Sequence, residues 1–85
     1  MATQPAPHHS MPPMQPVESS SIAEIGYDGA TSSLYVRFRE SGDTYVYYLV
    51  PADVVASLLT SPSKGAYLNT EIKAHFPYDK LPRED

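Results

Sequence analysis

The sequence predicts an α+β domain: a small antiparallel three-stranded sheet followed by two helices, in the order β-β-β-α-α. Three observations carry this. Ser33–Arg39 (SLYVRFR) and Thr44–Pro51 (TYVYYLVP) alternate aromatic and branched residues with a period of two, the spacing of a pleated strand. From Pro51 the apolar spacing changes to steps of three and four, which is helical. The 85 residues include no cysteine. No disulfide or cysteine-based zinc site can therefore hold the fold, and packing must do so in a domain of marginal size.

Met1–Glu18 holds five of the nine prolines, all three methionines and the pair His8-His9. Proline removes backbone donors and blocks regular ladders, so residues 1–18 are expected to form a disordered proline-rich N-terminal arm. Two adjacent imidazoles on such an arm make no specific metal site. Ser21–Tyr27 (SIAEIGY) begins the compact part as a first strand, and Asp28-Gly29 turns the chain. In Ser33–Arg39, Leu34, Val36 and Phe38 face one way, and Tyr35, Arg37 and Arg39 the other. Glu40–Asp43 closes a hairpin onto the central strand. There Val46, Tyr48 and Val50 oppose Tyr45, Tyr47 and Leu49.

Pro51 suits a first helical turn, where its missing amide costs nothing, and Asp53 meets the unpaired amides of that turn. Val54, Val55, Leu58 and Leu59 form an apolar stripe, and Thr60-Ser61-Pro62 stops the helix. A second helix is expected from Pro62 or Ser63 to His75, with Ala66, Leu68, Ile72 and Phe76 inward. Phe76-Pro77 ends it. The compact domain is expected to span residues 19–78, and residues 79–85 to form a flexible tail.

Ten acidic residues face six basic ones, for a net charge of −4. This argues against capture of nucleic acid by a general basic field, but leaves room for a local patch. No run of 18 apolar residues and no basic-then-apolar leader pattern is present, so neither a membrane span nor a secretory signal is expected. The cysteine-free composition fits the cytoplasm.

Candidate ligand-binding residues cluster at the start of the second helix: Ser63, Lys64, Gly65, Tyr67 and Asn69. Helix starts attract anions. Joined by Arg37, Arg39, Tyr45 and Tyr47, these residues can form a patch for an anion or single-stranded nucleic acid through stacking and phosphate contact. Ordinary capping and surface solvation are the competing explanation. Catalysis has little to build on. His75 is the one histidine in the compact part, no carboxylates are spaced as a pair, and no phosphate loop is present. No catalytic residues, no cofactor and no metal are expected. Two alternatives stay open: a small enzyme using a tyrosine or serine with Lys64 and Asn69, and a purely structural self-associating domain.

The motif YVY (Tyr45, Val46, Tyr47), then Pro51, then SPSKGAYLNTEIK at Ser61–Lys73, then Phe76-Pro77-Tyr78 together resemble the KTSC domain. That small domain is named after the C-terminal region of some lysyl-tRNA synthetases and also occurs as a stand-alone bacterial protein. The resemblance runs from about Ser20 to Tyr78 and omits the arm. It brings no established activity. It implies an auxiliary, non-enzymatic binding role, with RNA or another protein as partner. Ala66 and His75 depart from the more polar or basic pattern of the family and thin out positive charge.

Overall fold

The computed structural model describes residues 11–82. Its centre is an antiparallel hairpin of β2 (Ile22–Asp28) and β3 (Ser33–Phe38), extended by β4 (Thr44–Tyr47). The sheet has five strands where the sequence predicts three. β1 (Gln15–Pro16) flanks β2, and β5 (Tyr78–Lys80) returns after the helices to flank β4. The spatial order is β1-β2-β3-β4-β5, with every neighbouring pair antiparallel. The two added strands are two and three residues long, too short to show a period. Pro16 is tolerated because it lies on an edge strand. Short edges also limit pairing with other sheets.

Within the segment expected to form the arm, Gln15–Pro16 pair with β2 and Pro12–Met14 lie over Gly26. His8 and His9 lie outside the described residues. β5 likewise brings Asp79 and Lys80, expected in a flexible tail, onto the sheet, while residues 83–85 fall outside the description.

Register places the core. Leu34 lies opposite Tyr47, Val36 opposite Tyr45, and Ile25 and Tyr27 opposite Val36 and Leu34. All these residues share the face covered by the helices. Ile22 joins them through an irregularity. In a regular strand, residues 22 and 25 point to opposite faces. The register shifts between Ile22 and Glu24, and this bulge turns both isoleucines into the core.

The central strand ends earlier than its alternation suggests. Leu49 has φ +61° and is 71% exposed. The chain turns a corner there, and Val50 is buried by a different route. Its amide donates to the Ser32 carbonyl at 2.9 Å, and its carbonyl accepts the Tyr27 hydroxyl at 2.6 Å. Helix α1 (Ala52–Thr60) follows Pro51 and buries Val55 and Leu58. Leu59, expected in that stripe, is 42% exposed.

The second helix is not regular. A short α2 (Lys64–Tyr67) passes into a π-helical segment (Leu68–Lys73), which ends before His75. Leu68 and Ile72 are buried on the core, whereas Ala66 points outward. The wider π turn is uncommon and has no signature in composition.

Candidate binding site

Two clefts border the second helical segment, and Asn69 lines both. The first, of about 300 Å³, separates Glu18–Ser21 from Pro62–Ala66. Its walls are largely polar, with four serines among the residues that line it. The two walls meet closely, since a Cβ built on Gly65 collides with the Ser21 hydroxyl. A side chain at position 65 would displace the Ser21 hydroxyl, so glycine here marks the close approach of the two segments. Lys64 is tethered at this cleft but keeps its charge. Its Nζ donates to the Ser61 carbonyl at 3.2 Å, one turn back.

The second cleft, of about 380 Å³, lies between the sheet and the π segment. Register builds its floor. Tyr47 lies opposite Tyr78, and Tyr45 opposite Lys80. The rings of Tyr47 and Tyr78 have centroids 5.4 Å apart, and those of Tyr45 and Tyr78 6.0 Å apart. Phe38 meets Tyr45 edge to face at 5.5 Å. Such geometries add stabilisation beyond area burial. Tyr47 anchors the group and is 2% exposed, while Tyr78 is 41% exposed at the mouth. Lys73 and Asn69 stand on the helical wall, with Ser41 and Asp43 on the turn between β3 and β4. Asp43 is bridged by Lys80 at 3.3 Å.

Electrostatics fix the state of the buried ring. Burial, followed by the neighbouring Tyr78 and Tyr45, pushes the Tyr47 hydroxyl up to about 12. It remains a neutral phenol at physiological pH and does not supply a phenolate nucleophile. Outside the cleft, burial, then a hydrogen bond to Asp79, raises Tyr48. The Tyr48 hydroxyl donates to Asp79 Oδ2 at 2.8 Å.

The structure therefore divides the residues that the sequence groups together. Tyr45, Tyr47 and Asn69 meet in the tyrosine cleft, and Ser63, Lys64, Gly65 and Asn69 in the hydroxyl cleft. Tyr67 packs half-buried against the core and lines neither. The two arginines leave the patch. Arg37 lies on the other face of the sheet, bridged to Glu24 at 3.2 Å and donating from Nε to Thr44 Oγ1 at 3.2 Å. Arg39 donates to the carbonyls of Val17, Ser19 and Ile22 at 3.1–3.3 Å and ties down the arm. Strand alternation keeps Arg37 away from Tyr45 and Tyr47: Arg37 pairs with Thr44 and Tyr45 with Val36, so Arg37 and Tyr45 point to opposite faces.

Sequence reasoning missed Tyr78, Lys73 and Phe38 as cleft residues. The Pro77-Tyr78 ending was the available signal for the first, but only the return of β5 explains its place. Among the described residues, no three His, Cys, Asp or Glu side chains converge as a metal site. No described helix is long and apolar enough to cross a membrane.

Comparison with known proteins agrees with this architecture. The model of the KTSC domain matches residues 18–76. A protein of Tsukamurella paurometabola is 48% identical over 63 residues, covering 74% of this chain and 92% of that protein. A lysine–tRNA ligase of Trichormus variabilis is 39% identical over 69 residues, which are 81% of this chain but 12% of the ligase. The crystal structure of a KTSC domain protein from Yersinia pestis superposes with a TM-score of 0.77 at 38% identity, covering 82% of this chain and 97% of that one. Sequence, fold and the matched segment together show that this chain belongs to the KTSC domain family.

Proposed function

We propose that this chain is a non-enzymatic module that contacts single-stranded RNA through the tyrosine cleft. The observation that carries the reading is the group of rings in which half-exposed Tyr78 meets both buried Tyr47 and Tyr45, with Lys73 and Asn69 on the facing wall. An aromatic platform accepts any base by its π face, worth about 1–3 kcal/mol per stacked base. A nearby amide and ammonium supply one hydrogen-bonding group and one phosphate contact. The kinship to lysine–tRNA ligases supports RNA over other planar ligands by association alone.

A patch of this kind binds by stacking more than by charge. The net charge is −4, Lys80 is bridged to Asp43, and Arg37 and Arg39 are engaged elsewhere. One phosphate contact gives a log–log salt slope of about −0.7 on a single strand. The protein contains seven tyrosines and no tryptophan, so tyrosine emission reads the interaction directly. Titration with a mixed-sequence RNA octamer should quench that emission saturably. Tyr78→Ala should weaken binding by about tenfold, equivalent to ~1.4 kcal/mol. Lys73→Gln should weaken it less and remove most of the salt slope. Equal affinity for Tyr78→Ala and the unmodified protein would refute the assignment of the cleft.

A further inference from the structure

On the face of the sheet turned away from the helices, the arm lies directly over Gly26. Gly26 lies opposite Tyr35, and Tyr35 opposite Val46, so all three share that face. Tyr35 is 3% exposed and Val46 fully buried, yet neither belongs to the helix-side core. Over Gly26 a Cβ would meet Met14 Sδ at 2.7 Å, the Pro13 carbonyl oxygen at 2.9 Å and Pro12 Cγ at 3.2 Å. The glycine is thus the floor of a groove, and the segment Pro12–Met14 lies in it. Next in the chain, β1 pairs with β2 through Gln15 opposite Ile25 and Pro16 opposite Glu24. The Val17 amide then donates to the Ala23 carbonyl at 3.1 Å. Arg39 holds the exit through the Val17 carbonyl.

This is strand addition with side-chain seating, a recurring mode of peptide recognition. Its components divide at one point in the chain. The groove belongs to the segment that matches the family model, residues 18–76, while its occupant, residues 12–16, lies outside that match. The occupant's chemistry is explicit: an extended stretch with prolines at 12, 13 and 16 and methionine at 14. Prolines lower the entropy lost when an extended segment docks, and methionine fills an irregular surface with little strain. We propose that this face, with the adjoining edge of β2, is a docking groove for an extended, proline-containing peptide segment of a partner protein, with residues 12–16 seated in it as an intramolecular competitor.

The test uses the full chain and the synthetic peptide MPPMQPV, the sequence of residues 11–17. Met14→Asp places a charge over Gly26 and should release the arm. The fluorescently labelled peptide should then bind this variant saturably, about tenfold or more tighter than it binds the unmodified chain, whose groove is filled in cis. Adding Gly26→Val should abolish binding to Met14→Asp. A folded Met14→Asp chain that ignores the peptide would overturn the proposal. So would equal binding of a control peptide with alanine at each proline. If Met14→Asp does not fold, the unmodified chain is used with millimolar peptide. Shifts of the Glu24, Ile25 and Gly26 amides then support the groove, and their absence overturns it. A concentration-dependent dimer of the unmodified chain, removed by excess peptide, would assign the groove to a second copy and overturn the partner-peptide proposal.

Discussion

Tyr47 shows how one side chain can anchor the core and also form the floor of the proposed tyrosine cleft. Its ring fills the core while its hydroxyl stays neutral, because burial and two neighbouring tyrosines push its ionisation from 10.0 to about 12. Folding favours the protonated form. Its contribution is fully present below pH ~10 and is lost as pH rises through about 12. A two-unit shift corresponds to roughly 2–3 kcal/mol. Urea denaturation between pH 8 and 11.5 should therefore show an alkaline loss that Tyr47→Phe reduces. Gly65 poses a second residue-scale test. Gly65→Ala makes the Ser21 hydroxyl turn aside and should cost less than about 1 kcal/mol net, since only that rotatable tip is met and alanine is the better helix former. Ser21→Ala in the same chain should recover part of the loss, and thermal melts of the single and double variants measure that coupling. Leu49, left-handed and exposed, gives the opposite sign: Leu49→Asn should stabilise by about 0.5–1 kcal/mol.

At the scale of elements, legibility followed length. β3 alternates cleanly over Leu34, Val36 and Phe38, and its neighbour over Tyr45 and Tyr47, so the hairpin could be read directly. The stop at Ser61-Pro62 and the helix after Pro51 were equally plain. β1 and β5 were not, since two or three residues carry no period and their pairing is decided by the rest of the sheet. The bulge at Ile22 and the π segment were hidden for a related reason. Each inserts an extra residue into a regular pattern, and only the packed partner reveals which side chain must turn inward. The candidate site suffered most from these gaps. Motif spacing identified Tyr45, Tyr47 and Asn69, but the tyrosine cleft needs β5 to deliver Tyr78 and the π segment to deliver Lys73. Arg37 and Arg39 were grouped with the site by sequence proximity; strand alternation separates Arg37 from it, and Arg39 is engaged with backbone carbonyls. The helical cover is itself testable. Leu58 is fully buried, and Leu58→Ala should cost about 2–5 kcal/mol in urea denaturation.

The sheet carries the helix-covered core on one face and Pro12–Met14 over Gly26 on the other, and the chain has no cysteine, so its stability rests on packing. Its acidity sets the character of any nucleic-acid contact. With a net charge of −4, long-range steering is weak, and affinity must arise at short range from rings and one or two cations. The same acidity predicts little binding to duplex nucleic acid, whose bases are not available for stacking. The most direct test is an amide-shift map of the full chain with a short mixed-sequence single-stranded RNA at two salt concentrations. The expected result is a saturable set of shifts confined to Tyr45, Asn69, Lys73 and Tyr78, shrinking only modestly as salt rises. Shifts absent at low salt, or centred on Arg37 and the opposite face of the sheet, would contradict the tyrosine cleft as the RNA-contacting surface.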